Sequence, residues 1–331
     1  MYFEFTVNDS FDFLTSFAGK FAVKIENNEL KIPEVFGRGS IKRIHLEPNF
    51  KLIIHQYKLN QDFILKRLGS ETPNDMLTII FNNNDTPVSL LSNGNNEIEF
   101  SRNNASAIQI ASSDLASLIR FPANTEICFA VINIEKSSLN SLLSILEPGG
   151  IVQHILNKNS GFLYYESMTL DIQKTLKGLT EYEQDSKLKN LFYRHKASEI
   201  VFFLFEKLLQ REAIRHNQIN QADIDQLFMI RTSILADLSL NPHLPDLSER
   251  SGMSETKMKS LFKQVFGDSI YNYYQKARME QAAFLLKQRR LSVSQTGYQL
   301  GFSNLSHFSR LFEKYHGIKP KKYSLSDRTI Y

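Results

Sequence analysis

Two stretches of this 331-residue chain carry the same punctuation, and the repetition restricts the fold more than any other property of the sequence. The later stretch runs from Ser292 to Tyr323, SVSQTGYQLGFSNLSHFSRLFEKYHGIKPKKY. Ser292 and Gln295 make an S-x-x-Q capping box, so a short helix is expected to begin at Val293. Gly301 interrupts it. A second helix is expected from about Asn304 to His316, where Phe308, Leu311, Phe312 and Tyr315 recur three and four apart on one buried face. The opposite face holds Asn304, Ser306, His307, Ser309 and Arg310. The earlier stretch, LPDLSERSGMSETKMKSLFKQVFG at 244–267, follows the same plan. With Leu261-Phe262 laid on Leu311-Phe312, Met258 falls on Phe308, Phe266 on His316 and Gly267 on Gly317, the later copy having one extra turn residue. Each copy has one glycine in the turn before its second helix and another where that helix stops. Two helices joined by a tight glycine turn, the second with a polar outer face, describe a helix-turn-helix. A chance hairpin rarely repeats its punctuation.

Charge separates along the chain. Residues 241–331 hold fifteen Lys or Arg against seven Asp or Glu, a net +8, while the whole chain carries only +4. The first 240 residues are therefore acidic, at −4. A basic module joined to an acidic one suits a polyanion at one end. The lone Cys128 excludes an intramolecular disulfide framework and a multi-cysteine zinc site. The strongest apolar run, 200–205, is far too short to span a bilayer, and no N-terminal signal pattern is visible. A soluble, cytoplasmic chain with no membrane partner is expected.

Residues 1–135 read as mostly β. YFEFTV, FAVKIE, IKRIHL, KLIIHQYKL, MLTIIF, AIQIA and ICFAVINI are short and rich in β-branched or aromatic residues. Polar turn clusters such as 82–87 and 92–96 separate them, which argues for a sandwich or small barrel. Phe50, Tyr57, Phe63 and Phe81 are either pocket lining or core. His45 and His55, with Glu47 nearby, lack the tight His-x-His spacing of a metal-dependent β-barrel enzyme, so no metal, cofactor or catalytic residue is expected. After Glu135 the period becomes helical, with pieces ending before Pro148-Gly149-Gly150, near 150–157 and 169–179, and from Lys187 to about Arg211. The last carries a wide apolar face, Leu188, Leu191, Phe192, Ile200, Val201, Leu204, Phe205, Leu208 and Leu209, widened by Phe202 and Phe203. It packs on the β domain or on its twin in a second chain. The polar stretch 215–223 reads as a linker, and a helix from about Ile224 to Leu238 follows.

GFSNLSHFSRLFEKYHGIKPKKY, at 301–323, resembles the signature of the AraC/XylS transcription regulators. The earlier copy resembles that family's first helix-turn-helix, and GDSIYNYYQKARMEQAAFLLK its linker helix, with Arg278, Ala282 and Leu286 in register. The resemblance covers about 224–326. Ser248 and Gly297 stand where the family usually has Ala, and Ser260 where the first unit often has Arg. The resemblance implies an α+β chain. Residues 1–135 become a cupin-like β-barrel for a small-molecule effector, 136–214 a helical dimerisation segment, 215–223 a linker and 224–331 an all-α domain with two helix-turn-helix units. It also implies a homodimer on double-stranded DNA, with RNA polymerase as a further partner if the protein activates. Thr256, Lys257, Lys259, Ser260, Asn304, Leu305, Ser306, His307, Ser309 and Arg310 are then the groove candidates. Arg310 suits bidentate guanine and Asn304 adenine, while Leu305 belongs to a thymine methyl or to the core. Lys319, Lys321 and Lys322 suit phosphate, which positions without specifying. Two rivals remain. One is a constitutive or architectural DNA-binding protein whose β domain only dimerises; the other is a cupin-type enzyme fused to a DNA-binding module.

Overall fold

The computed structural model describes residues 1–325 except 8–10, 73, 85–87, 92–96, 101–105, 158–160, 183–185, 212–216 and 289–290. Residues 85–87 of the expected turn cluster at 82–87, the cluster at 92–96, the start of the expected linker at 215–216, and the last six residues lie outside the described residues. The chain divides into two compact units, one from Met1 to Asp225 (with which Gln264–Gly267 groups) and one that begins at Gln226.

The first unit contains strands β1 (Tyr2–Thr6), β2 (Ile25–Glu26), β3 (Glu29–Lys31), β4 (Gly37–Glu47), β5 (Phe50–Leu59), β6 (Phe63–Leu68) and β7 (Met76–Asn82). It continues with β8 (Val88–Leu91), β9 (Glu97–Phe100), β10 (Ile108–Ala111), β11 (Ser117–Phe121), β12 (Glu126–Glu135) and β13 (Leu163–Glu166). Its helices are α1 (Phe13–Phe21), α2 (Lys136–Leu143), α3 (Gly150–Asn157), α4 (Leu170–Thr180) and α5 (Lys189–Leu209). Eight strands form one sheet in the order β13-β10-β7-β12-β5-β4-β3-β2, and five form another, β1-β6-β11-β8-β9.

Period two governs the large sheet. On β5, β7 and β12, residues such as Leu52, Ile54, Leu77, Ile79, Ile132 and Ile134 pack in one core with Ile151, Ile172, Ile200 and Leu204 of the helices. Their neighbours Ile53, His55, Thr78, Ile80, Phe129 and Val131 point the other way, into a cavity that the small sheet also lines. Both faces of the sheet are therefore covered, one by helices and one by a second sheet. The expected closed barrel is not formed. The described end strands of each sheet do not pair, and the domain is a layered stack of helices, sheet and sheet.

Three local expectations need correction. The N-terminal region contains α1, because Asp12 caps it by accepting from the Thr15 N–H at 2.9 Å while Phe13, Leu14 and Phe17 are buried on one face. β13 lies inside the expected helical segment, fully buried at the sheet edge beside β10. The described part of 215–223 is tied down: Ile219 is buried, its N–H donates to the Gly161 carbonyl at 2.8 Å, and Gln221–Asp223 already belong to a helix.

The remaining elements are helical: α6 (Gln221–Ala236), α7 (Leu244–Ser251), α8 (Glu255–Phe266), α9 (Ile270–Lys287), α10 (Val293–Gln299), α11 (Leu305–His316) and α12 (Pro320–Leu325). Pro245 sits in the first turn of α7, where its missing N–H costs nothing. The Ser269 side chain caps α9. The apolar side of α9 meets both pairs. Tyr273 lies edge-on to Phe262 of α8, and Met279, Ala282 and Leu286 join Phe302, Phe308 and Phe312 in one cluster.

Candidate functional site

The repeat seen in the sequence is a repeat in space. The capping box at Ser292 and Gln295 is present in both directions, and α10 starts at Val293. Gly252, Gly267, Gly301 and Gly317 all adopt the left-handed conformation, with φ of 64°, 79°, 75° and 73°. Gly301 has a second constraint, since a Cβ there would lie 2.1 Å from the Ser239 carbonyl oxygen. Met258 and Phe308 are equivalent knobs, each fully buried, as are Phe262 and Phe312. Where Phe266 closes the first unit, His316 packs 4.4 Å from the Phe312 ring and donates a hydrogen bond to the Met279 carbonyl at 3.0 Å.

The two departures from alanine have local explanations. The Ser248 hydroxyl donates to the Met253 carbonyl at 2.6 Å and ties α7 to its turn. At Gly297 a Cβ would meet Leu305 Cδ2 at 2.7 Å and Phe308 Cδ1 at 3.2 Å, so the missing methyl lets α10 approach α11.

The outward face of α8 and α11 holds the expected groove candidates. Thr256, Lys257 and Lys259 are exposed on α8 and Ser260 is half-buried. Lys259 pairs with Glu255 at 2.6 Å, and at 49% and 40% exposure the pair is easily opened. On α11, Ser306, His307 and Arg310 are exposed while Leu305 and Ser309 are half-buried, with Leu305 packed towards Gly297. Asn304 is the N-cap of α11. Its Oδ1 accepts from the N–H groups of Ser306 at 2.9 Å and His307 at 3.0 Å. A bidentate adenine contact needs that oxygen as well as the amide N–H, so base reading by Asn304 competes with the cap. Lys319, Lys321 and Lys322 are exposed at and inside the start of α12, beside Tyr323, whose ring packs 5.3 Å from Phe312.

Sequence reasoning placed Arg278 only by register. In the structure it is 3% exposed and holds the second turn to α9. Its guanidinium donates to the Leu300 carbonyl and lies 3.9 Å from the Phe302 ring centroid. Burial pulls its pKa below the usual arginine value. Arg231 ties α6 to the same helix, donating from Nε to the Tyr273 hydroxyl of α9 at 2.7 Å.

A second site lies in the first unit. Between the sheets is a cavity of about 160 Å³ whose walls include Phe5, Phe11, Phe13, Ile53, His55, Arg67, Thr78 and Phe129. Phe50, Tyr57, Phe63 and Phe81 do not line it; Phe50 and Phe81 face the helices, where period two puts them in the core. His55 is buried and stacks on Phe129 at 4.0 Å, and burial holds its pKa down to about 3, so the ring is neutral. His45 is exposed and pairs with Lys51 across the β4–β5 ladder, two same-face positions from His55. Among the described residues no three His, Cys, Asp or Glu side chains gather as a metal site would need. Nor is any described helix long and apolar enough to cross a membrane.

A family described as "Helix-turn-helix domain" matches residues 247–325. An uncharacterised HTH-type transcriptional regulator of Haemophilus influenzae is 31% identical over 121 residues, 35% of this chain and 41% of that protein. The virulence regulon transcriptional activator VirF of Shigella flexneri is 26% identical over 208 residues, 60% of this chain and 73% of its own. Among solved structures, ToxT of Vibrio cholerae aligns over 86% of this chain and 100% of its own at 18% identity, with a TM-score of 0.31. The match to the Haemophilus protein thus spans less than half of that relative's length.

Proposed function

We propose that the chain is a sequence-specific DNA-binding transcriptional regulator of the AraC/XylS type whose N-terminal domain senses a small molecule, starting from the helix-turn-helix domain matched over residues 247–325. The observation that carries this reading is the mounting of two such units on one helix. The 18 residues of α9 make a spacer of about 27 Å, and successive major grooves on one face of a duplex are roughly 34 Å apart. In this reading α8 and α11 enter those grooves. Thr256, Lys257, Lys259 and Ser260, then Leu305, Ser306, His307, Ser309 and Arg310, present to base edges, with Asn304 fixing the start of α11. Lys319, Lys321 and Lys322 hold phosphates.

The cavity supports the sensing half of the proposal. It is enclosed by two sheets, mostly apolar, and large enough for one small ligand. Residues 1–135 then form a cupin-like effector domain in the broad sense of a β sandwich around a pocket. Residues 136–214 supply the dimer contact through α5, and RNA polymerase is a further partner if the protein activates. Duplex DNA binding by the full chain tests the central claim. With about six phosphate contacts, log K falls against log salt with a slope near −5. Salt-independent binding, or a folded chain that leaves no footprint on any selected sequence, rejects the assignment.

A further inference from the structure

The cavity between the sheets has a charge that no carboxylate of the fold contacts directly. Arg67 of β6 lines it and is 5% exposed. Its guanidinium donates from Nε to the Leu115 carbonyl at 3.2 Å and from Nη2 to the Ser112 carbonyl. Those bonds use two of the five donors an arginine carries. Among the described residues no carboxylate lies within ion-pair distance of it, although Asp114 attracts it from further away. Burial lowers its pKa only to about 10, so it stays charged at neutral pH.

The other charges at the cavity do not offset it. Asp12 is held by Arg43 at 2.5 Å and by the cap of α1. Lys51, half-buried on β5, adds a second cation to the wall. His55, on the same face of β5 as Lys51, is 1% exposed, and its Nδ1 has no hydrogen-bond partner. A buried guanidinium with no carboxylate in ion-pair contact and a buried ring nitrogen without a partner are both unfavourable, and natural interiors tolerate them where a ligand completes them. The rest of the wall is mostly apolar, with Asn49, Thr78, Ser117 and Asn133 as its other polar members and with Phe13 and Phe129 packed against the His55 ring. The volume, about 160 Å³, is close to that of an engineered cavity that holds benzene, which limits the occupant to roughly ten heavy atoms.

We propose that this cavity binds a small monocarboxylate with a compact apolar body, its carboxylate paired with Arg67 and Lys51 and its body packed against the phenylalanines and the neutral ring of His55. The proposal rests on the reading of the N-terminal domain as a sensor and names the class of molecule it senses. A carboxylate accepts from the unused donors of Arg67, a bond that a neutral ligand of the same shape makes more weakly.

Calorimetry on the full chain tests it, with cyclohexanecarboxylate and 4-methylpentanoate as probes, each against its primary amide, and with cyclohexanol as a neutral apolar probe. The acids are expected to bind at least about tenfold more tightly than their amides, the gain of a charge-assisted pair. Arg67→Gln should remove that preference and Arg67→Lys retain part of it. Because Arg67 also ties down two carbonyls, Lys51→Met is the second variant. It should weaken the acids while leaving the amides and cyclohexanol unchanged. If the amides or cyclohexanol bind as well as the acids, the domain is still a sensor and the anion assignment is wrong. If none of the probes binds, the monocarboxylate proposal falls, and the sensor reading loses its cavity as well.

Discussion

Gly252 and Gly301 occupy matching turns with nearly the same left-handed φ, yet their surroundings differ. A Cβ at Gly252 meets nothing within 4 Å, whereas one at Gly301 strikes backbone. Gly252→Ala should therefore cost only the left-handed strain of about 1–2 kcal/mol. Gly301→Ala adds a displacement of Ser239 and should cost at least about 2 kcal/mol more, among the larger single-site effects. Urea unfolding of both variants checks this, and equal losses would contradict the role given to the close approach. Arg310 and Lys322 make a second contrast. Both are exposed, but a fork on the face of α11 suits a base and an ammonium on α12 suits a phosphate. Arg310→Ala should lower affinity for the preferred site by roughly 1–3 kcal/mol and relax preference at one base pair. Lys322→Ala should weaken all sequences alike. A competition series in which both variants lose uniformly would make Arg310 a phosphate contact.

Helix α5 answers the question its wide apolar pattern raised. Ile200, Val201, Leu204, Phe205 and Leu208 are buried against the sheet, so the helix packs on the β domain. Leu188, Leu191, Phe202 and Leu209 nevertheless stay 49–65% exposed, and at 3.6 residues per turn they fall along one stripe. That stripe is what supports the dimer contact proposed for α5. Phe202→Glu should convert a dimer to a monomer in sedimentation equilibrium without changing the unfolding midpoint, since the side chain lies outside the core. A wild-type chain that is monomeric at micromolar concentration removes the idea. The α10–α11 pair depends instead on α9, through Arg278 and the shared cluster around Phe308.

Across the whole chain the proposal is a coupling, and coupling is reciprocal. A ligand alters DNA binding only through different affinities for two states, so operator DNA must change ligand affinity by the same factor. Calorimetry of a bound ligand with and without operator should give a difference equal to the ligand's effect on operator affinity. A tight ligand whose affinity ignores the operator leaves a binding domain without a switch.

The helix-turn-helix pairs were legible because their determinants are local. A capping box, a left-handed glycine and apolar residues three and four apart act within a dozen residues, and each appears in the structure at the expected position. The large sheet was partly legible for a similar reason, since β4, β5, β7, β10 and β12 are long or continuous apolar runs. The small sheet was not. Except for β1, its strands were unanticipated: β6 and β11 carry Lys66, Arg67 and Arg120 among their apolar residues, and only pairing with distant strands makes them strands at all. The cavity lay further out of reach, because its wall takes alternate residues from β1, β5, β6, β7, β11 and β12, more than a hundred positions apart. Sequence gave those residues their chemistry. Which of them face one another, and that Arg67 faces the cavity without a carboxylate partner among the described residues, follows from long-range strand pairing that no short window of the chain encodes.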